Sequence, residues 1–358
     1  MRFIFKTDYH QDIRLAPHSG HVFWYGLLLA LVIAAPFALD EYYVGQLTQV
    51  GIMAIAGVGL MVLTGYTGLV SLGHAAFFGV GAYAEAVLLG LGVPFFVTMP
   101  AAAVSAAAVG IIVGIPALRL AGIYLAIATF AFALIVEEIM GRWESVTNGY
   151  TGLLVPSIDI GDFSLSSGLP FYFLTMAILV LVILLVLNLL RAPTGRAMVA
   201  IRDSEISAQS MGVNLAVVKT TAFAVSAGIT GLAGALFAHK LGFLSPESFT
   251  ILQSIELLVL VIVGGIGSLH GAVFGAIFVL ALPQALAIMK DHLPPAIGEQ
   301  PGFEPLIFGL ILIFFILFEP FGIYGRWLKV KLYFQLFPLY KKATFKRQKS
   351  YMKSERLR

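Results

Sequence analysis

Apolar residues occur along this chain in long blocks separated by short polar stretches. The blocks near 22–39, 45–63, 72–90, 94–114, 119–140, 170–190, 219–239, 254–266, 272–289 and 305–319 each predict a helix. About twenty apolar residues in a helix cross a bilayer core. The expected fold class is all-α: a polytopic membrane bundle of about ten transmembrane helices, some short or broken. The blocks divide the chain into an N-terminal segment 1–21, a membrane domain 22–320 with an internal polar loop 191–219, and a tail 321–358.

One block needs a decision. Residues 254–289 also fit a single long helix. Gly264-Gly265-Ile266-Gly267-Ser268 interrupts that run, and His270-Gly271 follows. Each glycine weakens a helix by about 1 kcal/mol relative to alanine. A break here gives a short helix, a turn on the cytoplasmic side and a second helix. The other reading is that the glycines only let helices pack closely.

Composition supports the membrane reading. Of 358 residues, 59% are hydrophobic and 11% charged, whereas soluble domains carry roughly a quarter charged residues. No stretch is left over for a soluble nucleotide-binding or catalytic domain. Cysteine is absent, which excludes disulfides, thiol catalysis and cysteine-based metal sites. The first block ends at Asp40-Glu41 without a small-x-small cleavage pattern, so it is expected to stay as a helix.

Charge sets an orientation. Half of the 22 Lys and Arg lie between Arg326 and Arg358, with Glu355 as the one acid among them. The positive-inside rule puts this tail in the cytoplasm, and anionic headgroups of membrane lipid would hold it there. The tail abuts a span and the other end of the chain is not basic, which argues against nucleic acid. Threading from a cytoplasmic N-terminus places Arg191, Arg196 and Arg202 inside. It places Glu144, Asp159, Asp162, Asp291, Glu299 and Glu304 outside. Of the basic residues, Arg142, Lys240 and Lys290 fall outside and the rest inside, giving an N-in, C-in bundle.

Four stretches stand out against the apolar background. In the loop 191–219, Ala197, Ile201, Ala208 and Met211 would form one apolar face of a helix. Asp203 or Ser204 would start a helix there, and Gly212 would end it. Such an element suits docking into a groove of a soluble partner, or lying on the membrane as a connector. In the second stretch, Gly65, Gly68, Gly73, Gly79 and Gly81 surround Ser71 and His74. Irregular backbone at membrane depth needs protein or a wet cavity around it. This stretch therefore belongs in the bundle interior, lines a path, or serves close small-residue packing. Third, Ser268-Leu269-His270-Gly271-Ala272-Val273-Phe274 echoes Ser71-Leu72-Gly73-His74-Ala75-Ala76-Phe77, a hint of the internal repeats found in transporters. Fourth, Thr147-Asn148-Gly149-Tyr150-Thr151 and Ser245-Pro246-Glu247-Ser248-Phe249 form polar turns at the outer edge. They would meet a soluble partner or be plain loops.

Ionisable residues within the spans are few. Glu85 lies deepest; Glu256, Glu137, Glu138 and Arg119 lie nearer the ends. Glu85 would bind an amine, order a wet cavity, or pair with a serine, tyrosine or carbonyl of a neighbouring helix. One deep carboxylate is a thin basis for an ion-coupled secondary carrier. No Gly-x-x-x-x-Gly-Lys-Ser/Thr run is present, so the chain has no phosphate loop of that type. Neither paired carboxylates, histidine clusters nor a Ser-His-Asp arrangement occurs in the spans, so an enzyme is not expected.

The spacing Glu205-x-x-Ala208-x-x-x-Gly212 resembles the coupling loop of ABC importer permeases, whose usual run is Glu-Ala-Ala with Gly four residues later. Here Glu205 sits one residue early, and Ile206 and Ser207 replace the first two positions. Gly65-Tyr66-x-Gly68-x-x-Ser71-Leu72-Gly73-His74 looks like the signature of the LivM-type branched-chain amino-acid permeases. The Gly264–Ser268 run and both outer turns are similar to that family too, although it often carries Thr-Gly-Gly where this chain has Thr147-Asn148-Gly149. The resemblance covers about residues 40–320.

The resemblance implies a ten-helix permease subunit of an inner-membrane ABC importer for branched-chain amino acids. It implies no cofactor of this chain's own. The expected partners are a homologous permease subunit in a heterodimer, two ATPase subunits that hold the ATP, and a periplasmic solute-binding protein. By the same resemblance Arg202, Asp203, Glu205, Ala208 and Gly212 would couple to the ATPase. Gly65, Gly68, Ser71, Gly73, His74, Glu85, Gly264, Gly265, Gly267 and Ser268 are candidates for the translocation path. Thr147, Asn148, Gly149 and Thr151 would form the outer mouth, and no metal is implied. Permeases for urea or short amides share these motifs, so that branch stays open. The family pattern does not explain the basic tail, which would be a surface anchor or flexible extension.

Overall fold

The computed structural model describes residues 19–120, 122–160, 163–165, 168–291, 302–319 and 321–336. Most of the expected N-terminal segment, the acids Asp162 and Glu299, and the basic tail from 337 onward lie outside the described residues.

Every apolar block is helical. The first helices are α1 (Ser19–Ala38), α2 (Glu41–Leu60), α3 (His74–Gly90), α4 (Phe95–Ala117), α5 (Ile123–Arg142) and α6 (Gly168–Arg191). Two short helices follow, α7 (Pro193–Asp203) and α8 (Glu205–Ser210). Then come α9 (Leu215–Leu241), α10 (Ile251–Gly264), α11 (Leu269–Asp291), α12 (Phe303–Phe318) and α13 (Gly322–Leu336). Among the described residues seven helices are long and apolar enough to cross a membrane: α2 with the π turn Met61–Tyr66 that prolongs it, α4, α5, α6, α9, α10 with the 3-10 turn before it, and α11. The α12–α13 pair meets the same measure jointly but bends by 49° between its halves. α1 and α3 carry shorter apolar stretches, Val22–Ala38 and His74–Gly90. The chain is a multi-pass, all-α membrane protein.

Two helices form the centre. In its apolar stretch α2 is 83% buried and α9 67%, against 22% for α6, so the first two are enclosed by the rest of the chain and α6 lies at its periphery. α9 reaches the centre because its buried positions are small: Ser226, Ala227, Thr230, Gly231, Ala233 and Gly234. A methyl group on Gly81 of α3 would overlap the Gly231 carbonyl, and one on Gly234 would overlap the Phe78 carbonyl. Lipid tails are as apolar as leucine, so helices in a bilayer are held by such close packing and not by exclusion from water.

The expected break near 264–268 is present. Gly265 and Gly267 have φ of 118° and 85°, which side-chain-bearing residues rarely adopt. Close packing occurs beside it as well, since Gly264 abuts the Gly271 carbonyl. The loop 191–219 departs from expectation. It holds two helices and not one, because Ser204 between them is extended (φ −164°, ψ 114°) and caps α8 by accepting from Ser207 N at 3.2 Å. The break turns the second helix, so Ile201 and Ala208 are buried while Met211 is 86% exposed. Met211 is therefore not part of the expected apolar face. The loops after α5 and α9 also form two-residue antiparallel ladders, β1 (Leu153–Leu154) with β4 (Phe243–Leu244) and β2 (Asp159–Ile160) with β3 (Phe163–Ser164). The start of the expected tail is not a loose extension: α13 packs on the break, with Tyr324 stacked on His270 at 5.7 Å.

Candidate transport and coupling site

The last carbonyls of a helix have no partner within it. At the end of α2 these groups are met from elsewhere. Thr67 Oγ1 donates to the Val62 carbonyl at 3.0 Å, and Leu69 N to the Leu63 carbonyl at 3.1 Å. Arg202, on α7, donates from Nη1 to the Gly65 carbonyl at 3.2 Å. A methyl on Gly68 would come within 3.0 Å of the Arg202 stem, and one on Gly267 within 3.5 Å of its Nη1. Gly65 in turn lies so close to Gly267 that a methyl there would stand 2.8 Å from the Gly267 nitrogen. The structure thus brings Arg202, Gly65, Gly68 and Gly267 to one junction at one end of the bundle.

The rest of the expected coupling group divides by direction. Asp203 pairs with its neighbour Arg202 at 3.1 Å. Glu205 turns toward the bundle, its Oε2 2.8 Å from the Nζ of Lys219, whose side chain is 3% exposed. Ala208 is buried, and Gly212, with φ 87°, turns the chain toward α9. Ile206, 83% exposed, and Met211 instead face outward from α8. Beside them opens a cleft of about 510 Å³ lined by Leu118, Gln209, Gly212, Val213, Asn214 and Lys219, among others.

The irregular stretch between α2 and α3 is closed by side chains. Leu72 N donates to Thr129 Oγ1 at 3.0 Å, Gly73 N to Ser71 Oγ at 3.3 Å, and Ala75 N to Ser254 Oγ at 2.8 Å. The Ser226 hydroxyl donates to the Gly59 carbonyl at 2.7 Å, so it accepts from His74 Nε2 at 2.8 Å. His74 Nδ1 stands 3.0 Å from the Ser71 hydroxyl oxygen. The donation to Ser226 puts a proton on His74 Nε2. Ser71 and His74 are fully buried. The network supplies what irregular backbone inside a membrane protein needs.

Glu85 lies toward the other end of α3, also fully buried. Its Oε1 accepts from Thr98 Oγ1 at 2.7 Å and stands 3.2 Å from His239 Nε2. Its partners are thus a threonine of α4 and a histidine of α9, not a serine, tyrosine or carbonyl. Among the described residues Glu85 Oε2 and His239 Nδ1, both buried, have no hydrogen-bond partner. Gly264, Gly265 and Ser268 lie at the α10–α11 break, where Ser268 Oγ accepts from Gly271 N at 3.2 Å.

In the turn after α5, Thr147 is buried and donates to the Met140 carbonyl at 2.7 Å. Asn148 has φ 61°, the one positive value among described non-glycine residues, and its Nδ2 donates to the Gly152 carbonyl at 2.8 Å. Asparagine tolerates this left-handed conformation better than most residues, which explains how it stands where glycine is common. Thr151 donates to the Asn148 carbonyl, and Gly149 packs on the Gly141 carbonyl. Among the described residues no group of three or more His, Asp or Glu is placed to hold a metal ion.

Residues 42–316 match the family described as branched-chain amino acid transport system / permease component. The chain belongs to this permease family. It is 35% identical over 323 residues to the high-affinity branched-chain amino acid transport system permease protein LivM of Escherichia coli, covering 83% of this permease and 73% of that relative. The autoinducer 2 import system permease protein LsrC of Salmonella paratyphi B is 27% identical over 311 residues, 82% of this permease and 84% of the relative. A probable LivM of Methanocaldococcus jannaschii is 25% identical over 221 residues, 60% of this permease and 64% of the relative. No solved structure matches it. The matched residues run from α2 into α12 and so contain the Arg202 junction, Glu85 and the Thr147–Thr151 turn. These relatives are named as transport permeases and not as enzymes.

His239, Thr98, Ser226 and Lys219 are partners that sequence reasoning missed. His239 and Lys219 left a signal, as ionisable residues near the two ends of an apolar block. Thr98 and Ser226 left none beyond being polar in an apolar run.

Proposed function

We propose that this permease is a membrane subunit of an ATP-driven importer of branched-chain amino acids in the inner membrane. The observation that carries the reading is the two-helix segment α7–α8. It offers Ile206 and Met211 outward, while Arg202 and Glu205 grip the bundle behind them. An exposed apolar pair on a short, firmly held helix suits a groove on a soluble partner. That partner is read as one of two ATPase subunits, which hold the ATP. Gly65, Gly68 and the Gly264–Ser268 break then form the inner end of the path, and the Thr147–Thr151 turn receives a periplasmic binding protein. A homologous permease subunit completes the membrane part. α1, α3 and α12 bring the crossings to ten, N-in and C-in, flanked by the segment 1–21 and the tail 321–358.

The match to LsrC favours a second reading of the cargo, as another small polar solute. An ion-coupled carrier gains nothing from Glu85, which is enclosed by Thr98 and His239.

The test is uptake of radiolabelled leucine into vesicles holding the permease, a sister subunit and both ATPases, with the binding protein supplied. Uptake should require ATP and should vanish in Ile206→Asp/Met211→Asp while the membrane bundle still assembles. Uptake that follows a proton or sodium gradient without ATP would overturn the reading.

A further inference from the structure

We infer that Arg202 is the positioning residue through which movement of α7–α8 reaches the inner ends of α2 and α10. The inference rests on the importer reading above and assigns Arg202 inward, away from the ATPase.

Three observations converge. First, the guanidinium donates to the Gly65 carbonyl at the carboxyl end of α2. Its Nη1 also lies beside Gly267, three residues past the end of α10. Carbonyls at the end of a helix carry partial negative charge, so the cation caps the end of α2 while it packs against the turn that follows α10. Second, Arg202 is aimed. Its Nε and Nη2 donate to Asp203 Oδ1 at 3.2 and 3.1 Å, which leaves Nη1 for Gly65. A planar guanidinium held on one side by a carboxylate is oriented on the other. Third, the receiving surface is bare backbone. Gly65, Gly68 and Gly267 have no side chains, and the Arg202 stem packs against Gly68. At 3.2 Å the bond to Gly65 is near the long end of its range, so a shift of α7 by about half an ångström would release it.

The link is therefore both charged and easily broken, and it joins α7 to the two glycine-rich turns at the inner face. Glu205–Lys219 fixes α8 to α9 separately. Displacing α7 and α8 would open the Arg202 link and release α7 from the junction where the turns after α2 and α10 meet.

The test uses the complete transporter in vesicles and reads leucine transported per ATP hydrolysed. In Arg202→Gln this ratio should fall about tenfold, with ATPase subunits still co-purifying and hydrolysis continuing. Arg202→Lys, which keeps the charge but loses the fork, should fall between Gln and wild type. Asp203→Asn should also lower the ratio. A wild-type ratio in Arg202→Gln overturns the inference. So does loss of the ATPase from an intact bundle, which would make Arg202 a docking residue. If Arg202→Gln does not assemble, Arg202→Lys decides: a ratio about threefold below wild type supports the link, and an unchanged one overturns it. Wild-type vesicles that take up no leucine with ATP would refute the importer reading itself, and this inference with it.

Discussion

The ammonium of Lys219 lies 2.8 Å from Glu205 Oε2, with the lysine side chain 3% exposed and the glutamate 39% exposed. The pair ties α8 to the first turns of α9 across 14 residues of chain. Removing the glutamate strands a buried cation. Removing both leaves no charge to strand. Glu205→Ala is expected to cost about 1–3 kcal/mol, the lower part of the buried range because the glutamate meets solvent. Glu205→Ala/Lys219→Met should cost less than Glu205→Ala alone. Thermal melts of the detergent-solubilised permease make the comparison; a double variant no more stable than the single would contradict it.

Glu85 distinguishes support from solute binding. Glu85→Gln keeps an acceptor for Thr98 and should melt near wild type. Glu85→Leu leaves His239 without its partner and should cost about 1–3 kcal/mol. Thr98 keeps a bond in that variant, to the Phe95 carbonyl at 3.1 Å. Because the carboxylate is fully buried, Glu85→Gln should leave the KM for leucine unchanged. A KM raised about tenfold would place Glu85 in the path.

Glycines here differ by what surrounds them. Gly231→Val drives two branches into the α3 and α4 backbones, with Ala106 and the Phe77 carbonyl close by. It should cost at least about 3 kcal/mol or abolish assembly. Gly309, inside α12, has nothing within 4 Å. Gly309→Ala should gain up to about 1 kcal/mol. Size-exclusion profiles before and after heating read both.

At Asn148 the backbone demands a left-handed residue. Asn148→Gly should be within about 0.5 kcal/mol of wild type, while Asn148→Val should lose about 1–2 kcal/mol from strain. The valine variant also gives up the bond to the Gly152 carbonyl. Equal melting of the two would show that the turn relaxes.

Much of the architecture was legible because membrane helices are local objects. Each satisfies its own backbone, so the apolar blocks locate α1 to α6 and α9 to α12 without knowledge of their neighbours. The 264–268 break and the Gly212 turn were legible for the same reason, since glycine conformation is local. The sequence leaves Asp203 and Ser204 as alternative caps, and it does not show that the Ser204 cap splits α7 from α8 and turns Met211 outward. That outcome depends on which face the bundle buries.

The site was legible in its glycines and not in their meeting. Arg202 and Gly65 are 137 residues apart, and Glu85 and His239 are 154 apart. A helix apolar on every side carries no stripe to say which neighbour it faces. Only the small residues of α9 mark it as central, and they do so weakly.

The sequence by itself determined the helices, the glycine turns between them, the charge asymmetry and the permease family. Each of these follows from short-range composition or spacing. Tertiary structure alone decided that α2 and α9 form the centre, that Glu205 faces Lys219, that Glu85 pairs with Thr98 and His239, and that Arg202 joins two turns. Those relationships arise from close van der Waals fit between distant helices, which no single segment encodes.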